Sequence, residues 1–245
     1  MEGERNLNIG IEGDKQRIIK LWQEVGVKRD LGGVSDLINF LETSDFFTAP
    51  CSTQFHLAVP GGLAQHSLNV YDLLEDKVWR YVNVNVAHDS IVICGLGHDL
   101  CKINFYVEDK EPCSPAQLKY LNDLAIKHGC PVYPPATTSK QARVLIDFFK
   151  DNSDFGNPPA LPIAYKVSDQ FPMGHGEKSV SMLQDFIHLT MEEKLAIRFH
   201  MGPYEQGVML RPLSYAFDEA KKVSPLVTLL QTADIEASSI IEAEG

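Results

Sequence analysis

The chain has 245 residues, 44% of them hydrophobic and 22% charged, a composition that can bury a full core without disulfides or a structural metal. Its formal net charge of −11 argues against a protein whose whole surface binds duplex nucleic acid, because phosphate neutralisation needs clustered Lys and Arg. A small anionic substrate at a metal-centred pocket stays open, since a bound cation reverses the local field.

In chain order, residues 1–13 are polar and Gly-containing, which predicts a frayed start without a signal peptide. Asp14 is placed to cap a helix through Ile18, Ile19, Leu21, Trp22 and Val25. Ser35 is placed to cap a second helix through Leu37, Ile38 and Leu41. The breaker-rich stretch from Pro50 to Gly62 predicts a loop and a helix beginning just after it. Leu63, Ser67, Val70, Leu74 and Val78 then share one helical face, with His66 on its edge. From His88 to Lys102 the sequence is apolar nearly all round, through Ile91, Val92, Ile93, Cys94 and Leu96, which predicts a buried central helix.

Residues 108–160 differ. Pro112, Pro115, Pro131, Pro134, Pro135, Pro158 and Pro159 break them into two helical patterns. One holds Leu118, Leu121, Leu124 and Ala125; the other holds Val144, Leu145, Phe148 and Phe149. The reading is an inserted helical hairpin. Over residues 114–150, Lys119, Lys127, Lys140, Arg143 and Lys150 outweigh Asp123 and Asp147, a local +3 against −14 for the rest. Beyond the insert, Leu161 to Pro172 reads as extended. Helices are expected over Lys178–Leu189, Met191–His200 and Pro225–Ala243, with a short one over 213–222. Strand signals are sparse, so the fold class is all-α with minor extended segments. The expected organisation is an N-terminal extension with one helix (1–33), a core (34–107 and 161–245) and the insert (108–160).

Cys51, Cys94, Cys101, Cys113 and Cys130 form no C-x-x-C pair, and Cys94, inside an apolar run, reads as a buried reduced thiol. No apolar run approaches the length of a membrane span, so the expectation is a cytoplasmic protein with no membrane partner; the oligomeric state is open.

The chemistry lies where a His or Asp replaces an expected apolar residue. His66 borders Leu63 and Val70; His98 and Asp99 close the apolar helix; His200 follows Ala196, Ile197 and Phe199; Asp234 lies between Leu230 and Ala237. A lone core histidine is usually just hydrogen-bonded, and a lone Asp can pair with Arg or cap a helix. A set of four such intrusions points instead to a metal, because a buried carboxylate must be paired, protonated or coordinated. Imidazole with carboxylate suits Mn, Fe, Ni, Co, Zn or Mg.

Gly61-Gly62-Leu63-Ala64-Gln65-His66, then Gly95-Leu96-Gly97-His98-Asp99-Leu100-Cys101-Lys102, then Thr232-Ala233-Asp234 resemble the H…HD…D signature of the HD superfamily of metal-dependent phosphohydrolases. The likeness spans roughly residues 55–107 and 161–243. It implies a helical core with His66, His98, Asp99 and Asp234 as metal ligands. The Gly-Gly-Leu-x-x-His form is similar to that of HD-domain 3′→5′ exoribonucleases and of HD domains described only as hydrolases. Binuclear members carry two further His in the interval that holds His175 and His200, with the HD Asp bridging two ions. The Gly-Tyr-Pro signature of the cyclic-di-GMP-cleaving branch is absent.

What the resemblance implies is one or two divalent ions that lower the pKa of water, with Asp99, Lys102 and Glu177 as catalytic residues. Lys102, Lys178 and Arg198 are the candidate substrate-binding cations. Lys102 also fits a solvated helix end, and Glu177 a helix first turn. The expected activity is hydrolysis of a phosphoester or phosphoanhydride in a small nucleotide. Trimming of single-stranded RNA or DNA from a 3′ end is the second reading, and a non-catalytic nucleotide-binding scaffold the third. The run from Ser114-Pro115-Ala116-Gln117-Leu118 to Thr138–Ile146 is similar to small two-helix modules appended to phage and DNA-metabolism proteins. That leaves a lid, an oligomer contact or a nucleic-acid contact open.

Overall fold

The computed structural model describes residues 7–29, 32–53, 55–130, 135–151, 161, 163–202 and 213–243. It is an all-α protein. Ten α-helices carry the described residues, and the accompanying sheet has only two strands. By contact the chain divides into two compact units, Met1–Tyr106 with Ser168–Gly245, and Val107–Val167.

The larger unit begins with α1 (Leu7–Arg29) and α2 (Val34–Thr43). Helix α1 starts a full two turns before Asp14, the expected cap, so residues 7–13 are helical rather than frayed; residues 1–6 lie outside the described residues. The extra turns have a reason to form. A side chain added at Gly61 would meet Ile11 at 2.8 Å, so Ile11 packs directly over that glycine. Ile18, Trp22 and Val25 from α1 join Leu37 and Leu41 from α2 in the core, each fully buried large side chain contributing ~1.5–3 kcal/mol. The cap of α2 is Gly33 rather than Ser35, which lies in the first turn.

Helix α3 (Gly62–Arg80) starts where the Pro-Gly-Gly break predicts. Gly61 caps it at φ +80°, a conformation that only glycine adopts without strain. Helix α4 (His88–Gly97) is buried from Asp89 onward. It ends at Gly97, five residues before the expected Lys102, and a 3-10 turn over Leu100–Lys102 follows. The change of winding at Asp99 (φ −110°, ψ 19°) aims its carboxylate sideways instead of along the helix. Helix α4 is anchored at its other end. Arg29 pairs with Asp89 at 3.1 Å and with Glu193 at 2.7 Å, and Ser90 donates to Glu193 at 2.7 Å. Removing one member of such a buried set typically costs about 3–5 kcal/mol.

After the smaller unit come α7 (His175–Gln184), α8 (Met191–Arg198), α9 (Leu213–Val223) and α10 (Pro225–Glu236). Helix α7 starts three residues before the expected Lys178 and stops short of Leu189. Its first turn presses on the end of α8, where a Cβ at Gly176 would lie 2.3 Å from the Arg198 carbonyl oxygen. Only glycine permits that approach. A Thr190–Glu193 capping box begins α8, stabilising an end whose backbone N–H groups lack helical partners. The long C-terminal helix expected to reach Ala243 breaks after Glu236 into a π-helical turn, Ala237–Ile241.

The smaller unit holds α5 (Pro115–Lys127) and α6 (Ser139–Asp151). Ser114 and Gln117 form a capping box with Pro115 in the first turn. Its own core is Leu121, Ala125, Ala142, Leu145, Ile146 and Phe149. Leu118, expected inside, is 43% exposed. Strands β1 (Tyr106–Glu108) and β2 (Tyr165–Val167) pair with each other. Among the described residues of the expected extended stretch over 161–172, those three form strand. The joints at Pro131, Pro134, Pro158 and Pro159 lie outside the described residues. Taken over its whole length, Val107–Val167 balances seven Lys and Arg against seven Asp and Glu, so the local +3 is offset by acidic residues at its ends.

Candidate metal centre

The side chains expected to converge do so, within the larger unit. His66 comes from α3, His98 and Asp99 from the end of α4, His175 from the start of α7, His200 from just beyond α8, and Asp234 from α10. His66, His98 and His200 are buried to 1% exposure or less.

Each of these three imidazoles is oriented the same way. His98 Nδ1–H donates to the Gly95 carbonyl at 2.9 Å, one turn back in its own helix. His200 Nδ1–H donates to the Ile197 carbonyl at 2.7 Å. His66 Nδ1–H donates to Glu242, 3.0 Å from each carboxylate oxygen. The acceptors carry no proton, so the ring must supply it, which leaves Nε2 free to hold a metal ion or, on His66 and His200, whose carboxylate neighbours raise them above an ordinary imidazole, a second proton. Those nitrogens face one another and the carboxylates. His66 Nε2 is 3.3 Å from His98 Nε2, 3.2 Å from Asp234 Oδ1 and 3.4 Å from Asp99 Oδ2. His200 Nε2 is buried and has no hydrogen-bond partner among the described residues; it lies 3.4 Å from Asp99 Oδ1 but off hydrogen-bonding angle. Imidazole nitrogens and carboxylates gathered in a dry interior are unfavourable unless a cation, proton or metal, lies among them. A divalent cation at their meeting point removes that cost, and a fixed Nδ1–H is how metal-binding imidazoles are held.

Charge balance supports the same fit. Asp99, Asp234 and Glu242 surround the histidines, and the ammonium of Lys102 stands among them, 2.7 Å from Asp99 Oδ2. Burial works against the charge on Asp99, but Lys102 and His98 outweigh it and hold the carboxyl well below its ordinary range. Burial likewise opposes protonation of His66, yet Cys51, Asp234 and Glu242 raise it well above an ordinary imidazole. Burial pushes His98 down to about 4. A proton on His66 thus covers part of a negative excess that a divalent ion would satisfy more fully.

Four groups within ligating distance of one another cover this region: His66–His98–Asp99, His98–His200–Asp234, Asp99–Cys101–His175 and Cys51–His56–His66. The last two include residues that the sequence did not single out. Cys51 Sγ lies 3.3 Å from His56 Nε2 and accepts from Lys102 Nζ at 3.3 Å. His56 sits in the breaker-rich loop before α3, where Leu57 has φ +46°, a strained value for a residue with a side chain. Glu242 was missed for a different reason: it follows the π-helical turn, and no α-helical spacing from Asp234 would place it on His66. Asn69 holds its Oε1 at 2.8 Å.

The remaining candidates engage elsewhere. Glu177 pairs with Arg198 at 2.7 Å. Lys178 is buried and pairs with Asp169 at 2.7 Å. Its ammonium lies over the rings of Phe105 and Phe171, beside an open groove that Phe40, Met182 and Phe186 also line. Among the described residues, Lys102 is the one Lys or Arg drawn into the cluster. Among the described residues the members that reach solvent are His56, which is half-buried, and the side chains of His175 and Asp234, 26% and 14% exposed.

Among the described residues, no helix is long and apolar enough to cross a membrane. Comparison with family models, with curated proteins and with solved structures returns no match.

Proposed function

We propose that the chain is a metal-dependent phosphohydrolase of the HD superfamily that cleaves a phosphoester or phosphoanhydride bond in a small nucleotide. One observation carries this reading. Three imidazoles, fixed through Nδ1, turn Nε2 toward Asp99 and Asp234, in the H…HD…D order that the superfamily uses. His66, His98, Asp99 and Asp234 would hold one divalent ion, and His175 and His200 with Asp99 a second. Such an ion supplies a Lewis acid and lowers the pKa of water toward neutrality.

The chain's own residues have separate tasks. Asp99 offers both carboxylate oxygens to the cluster. Glu242 fixes the His66 ring and Asn69 fixes Glu242, so the ligand geometry is set before substrate arrives. Lys102 keeps a positive charge next to Asp99 and is placed to neutralise charge developing on a phosphoryl oxygen. Substrate would approach past His175 and Asp234, both of which reach solvent. Arg198 and Glu177, on the neighbouring helix ends, and Lys178, with its aromatic groove, are the nearest groups for the rest of the nucleotide. The acidic chain and the neutral smaller unit favour a small substrate over a nucleic-acid strand.

The test is a panel of nucleoside mono-, di- and triphosphates beside labelled single-stranded oligonucleotides, with Mn, Ni, Co, Fe and Mg supplied in turn. Phosphate release from a mononucleotide is expected with at least one ion and is lost in His98→Ala. Shortened oligonucleotides without mononucleotide turnover would move the reading to 3′ trimming. If the ion-loaded protein leaves every phosphorylated compound intact, catalysis is excluded and a nucleotide-binding scaffold remains.

A further inference from the structure

The two oxygens of Asp99 serve different donor sets. Oδ2 faces Lys102 Nζ at 2.7 Å, His66 Nε2 at 3.4 Å and His98 Nε2 at 3.5 Å. Oδ1 faces His175 Nε2 at 2.7 Å, His200 Nε2 at 3.4 Å and Cys101 Sγ at 4.0 Å. The groups facing Oδ2 are nitrogen throughout, and Cys51 Sγ behind them is grouped with His56 and His66 rather than with Asp99. The Oδ1 set contains a sulfur, and Cys101 Sγ stands only 3.3 Å from His175 Nε2 and 3.4 Å from His175 Nδ1.

We propose that Cys101 is a metal ligand, and that the Oδ1 side of Asp99 is a sulfur-containing site, shared with His175, that selects a thiophilic ion such as Zn²⁺, Fe²⁺ or Co²⁺ over Mg²⁺ or Mn²⁺. In a tetrahedral site with a thiolate at ~2.3 Å and nitrogen or oxygen at ~2.0–2.1 Å, neighbouring donor atoms stand roughly 3.3–3.6 Å apart. The separations among Asp99 Oδ1, His175 Nε2 and Cys101 Sγ, from 2.7 to 4.0 Å, lie on either side of that range. Asp99, Cys101 and His175 already stand within ligating distance of one another.

Local structure places the sulfur deliberately. Cys101 lies in the 3-10 turn that re-aims the chain after His98, and its backbone N–H is pinned to Ser179 Oγ on α7 at 3.1 Å. That bond ties the turn to the helix that carries His175. A bound ion would take Cys101 as the thiolate, its proton passing to solvent. Soft thiolate ligands favour Zn, Fe and Co, whereas Mg and Mn favour all-oxygen surroundings. The Oδ1 side of the centre therefore gains a soft donor from Cys101.

This rests on the metal-centre reading but not on phosphate hydrolysis, and its test is spectroscopic. The full chain is stripped of metal and titrated with Co²⁺. Two ions per chain are expected, with a near-ultraviolet thiolate-to-cobalt charge-transfer band accompanying one of them. Cys101→Ser should lose that band, keep the visible ligand-field bands of the other ion, and reduce the preference for Zn²⁺ over Mg²⁺ by about tenfold or more. Cys51→Ser should keep the charge-transfer band. Wild-type protein saturated with cobalt but lacking the band would overturn the proposal, and this arm needs no variant to fold. So would a band that survives in Cys101→Ser or disappears in Cys51→Ser. A protein that binds cobalt through sulfur yet hydrolyses nothing sinks the phosphohydrolase reading alone; one that hydrolyses nucleotides without the band sinks this one alone.

Discussion

The two compact units solve opposite problems with the same secondary structure. Val107–Val167 buries six apolar side chains between α5 and α6, and no metal-competent group occurs among its described residues. The larger unit buries a far longer apolar set and then places His66, His98, Asp99 and His200 inside it. A helical hairpin needs only a stripe of apolar residues to hold together. A core that admits carboxylates must have stability to spare and must partner every polar atom it takes in. Size makes the difference, because the fraction of surface removed from water rises with chain length. The larger unit can afford a dry polar centre, and a dry centre is where electrostatics are strongest.

This contrast can be broken most severely at Asp99. Asp99→Asn keeps the volume but removes the charge shared by both halves of the cluster; both ions should be lost in a metal-content measurement, with the helical circular dichroism retained. Unfolding of that variant would mean that Asp99 serves stability first. In the smaller unit the largest effect should come from packing. Phe149→Ala opens a cavity worth about 3–5 kcal/mol, and hydrogen exchange should show α5 and α6 losing protection while the metal content of the chain stays unchanged. Loss of metal with it would show that the units are not energetically separate.

Gly176→Ala sharpens the comparison from within the larger unit. The added methyl meets the Arg198 carbonyl, so α7 must move off α8, at about 1–3 kcal/mol. A lower melting temperature and weaker binding of one ion of two are expected; an unchanged cobalt titration would show that the approach of these helices does not set the site. Glu242→Gln is the mildest change. It keeps a hydrogen-bond acceptor for His66 but removes the charge, and metal affinity should fall about 10–100-fold, read by competition with a chromophoric chelator. Affinity equal to wild type would reduce Glu242 to a packing role.

Much of this was legible in the residues. The break at Pro60-Gly61-Gly62, the apolar run ending in His98-Asp99 and the position of Asp234 each follow from local rules of helix starts, periodicity and the cost of buried charge. The helix ends were less legible. Ile11 over Gly61 lengthens α1, and the close contact at Gly176 belongs to the turn that starts α7 at His175; both are contacts between distant segments, invisible to a propensity. Lys178, Arg198 and Glu177 sit near the expected ligands in sequence, but their charges pair with Asp169 or with each other. Nearness along a helix does not fix which way a long side chain turns.

The sequence by itself determined that this is a helical protein with an imidazole and carboxylate set spread over separate helices, because apolar period and polar intrusion are written in neighbouring residues. Only the tertiary structure decided which atoms meet. Glu242 reaches His66 across 176 residues by way of a π-helical turn, and Cys101 reaches His175 across 74 because Ser179 pins its backbone. A lone pair's direction depends on what its ring's other nitrogen binds, and that partner is chosen by packing in three dimensions rather than by spacing along the chain.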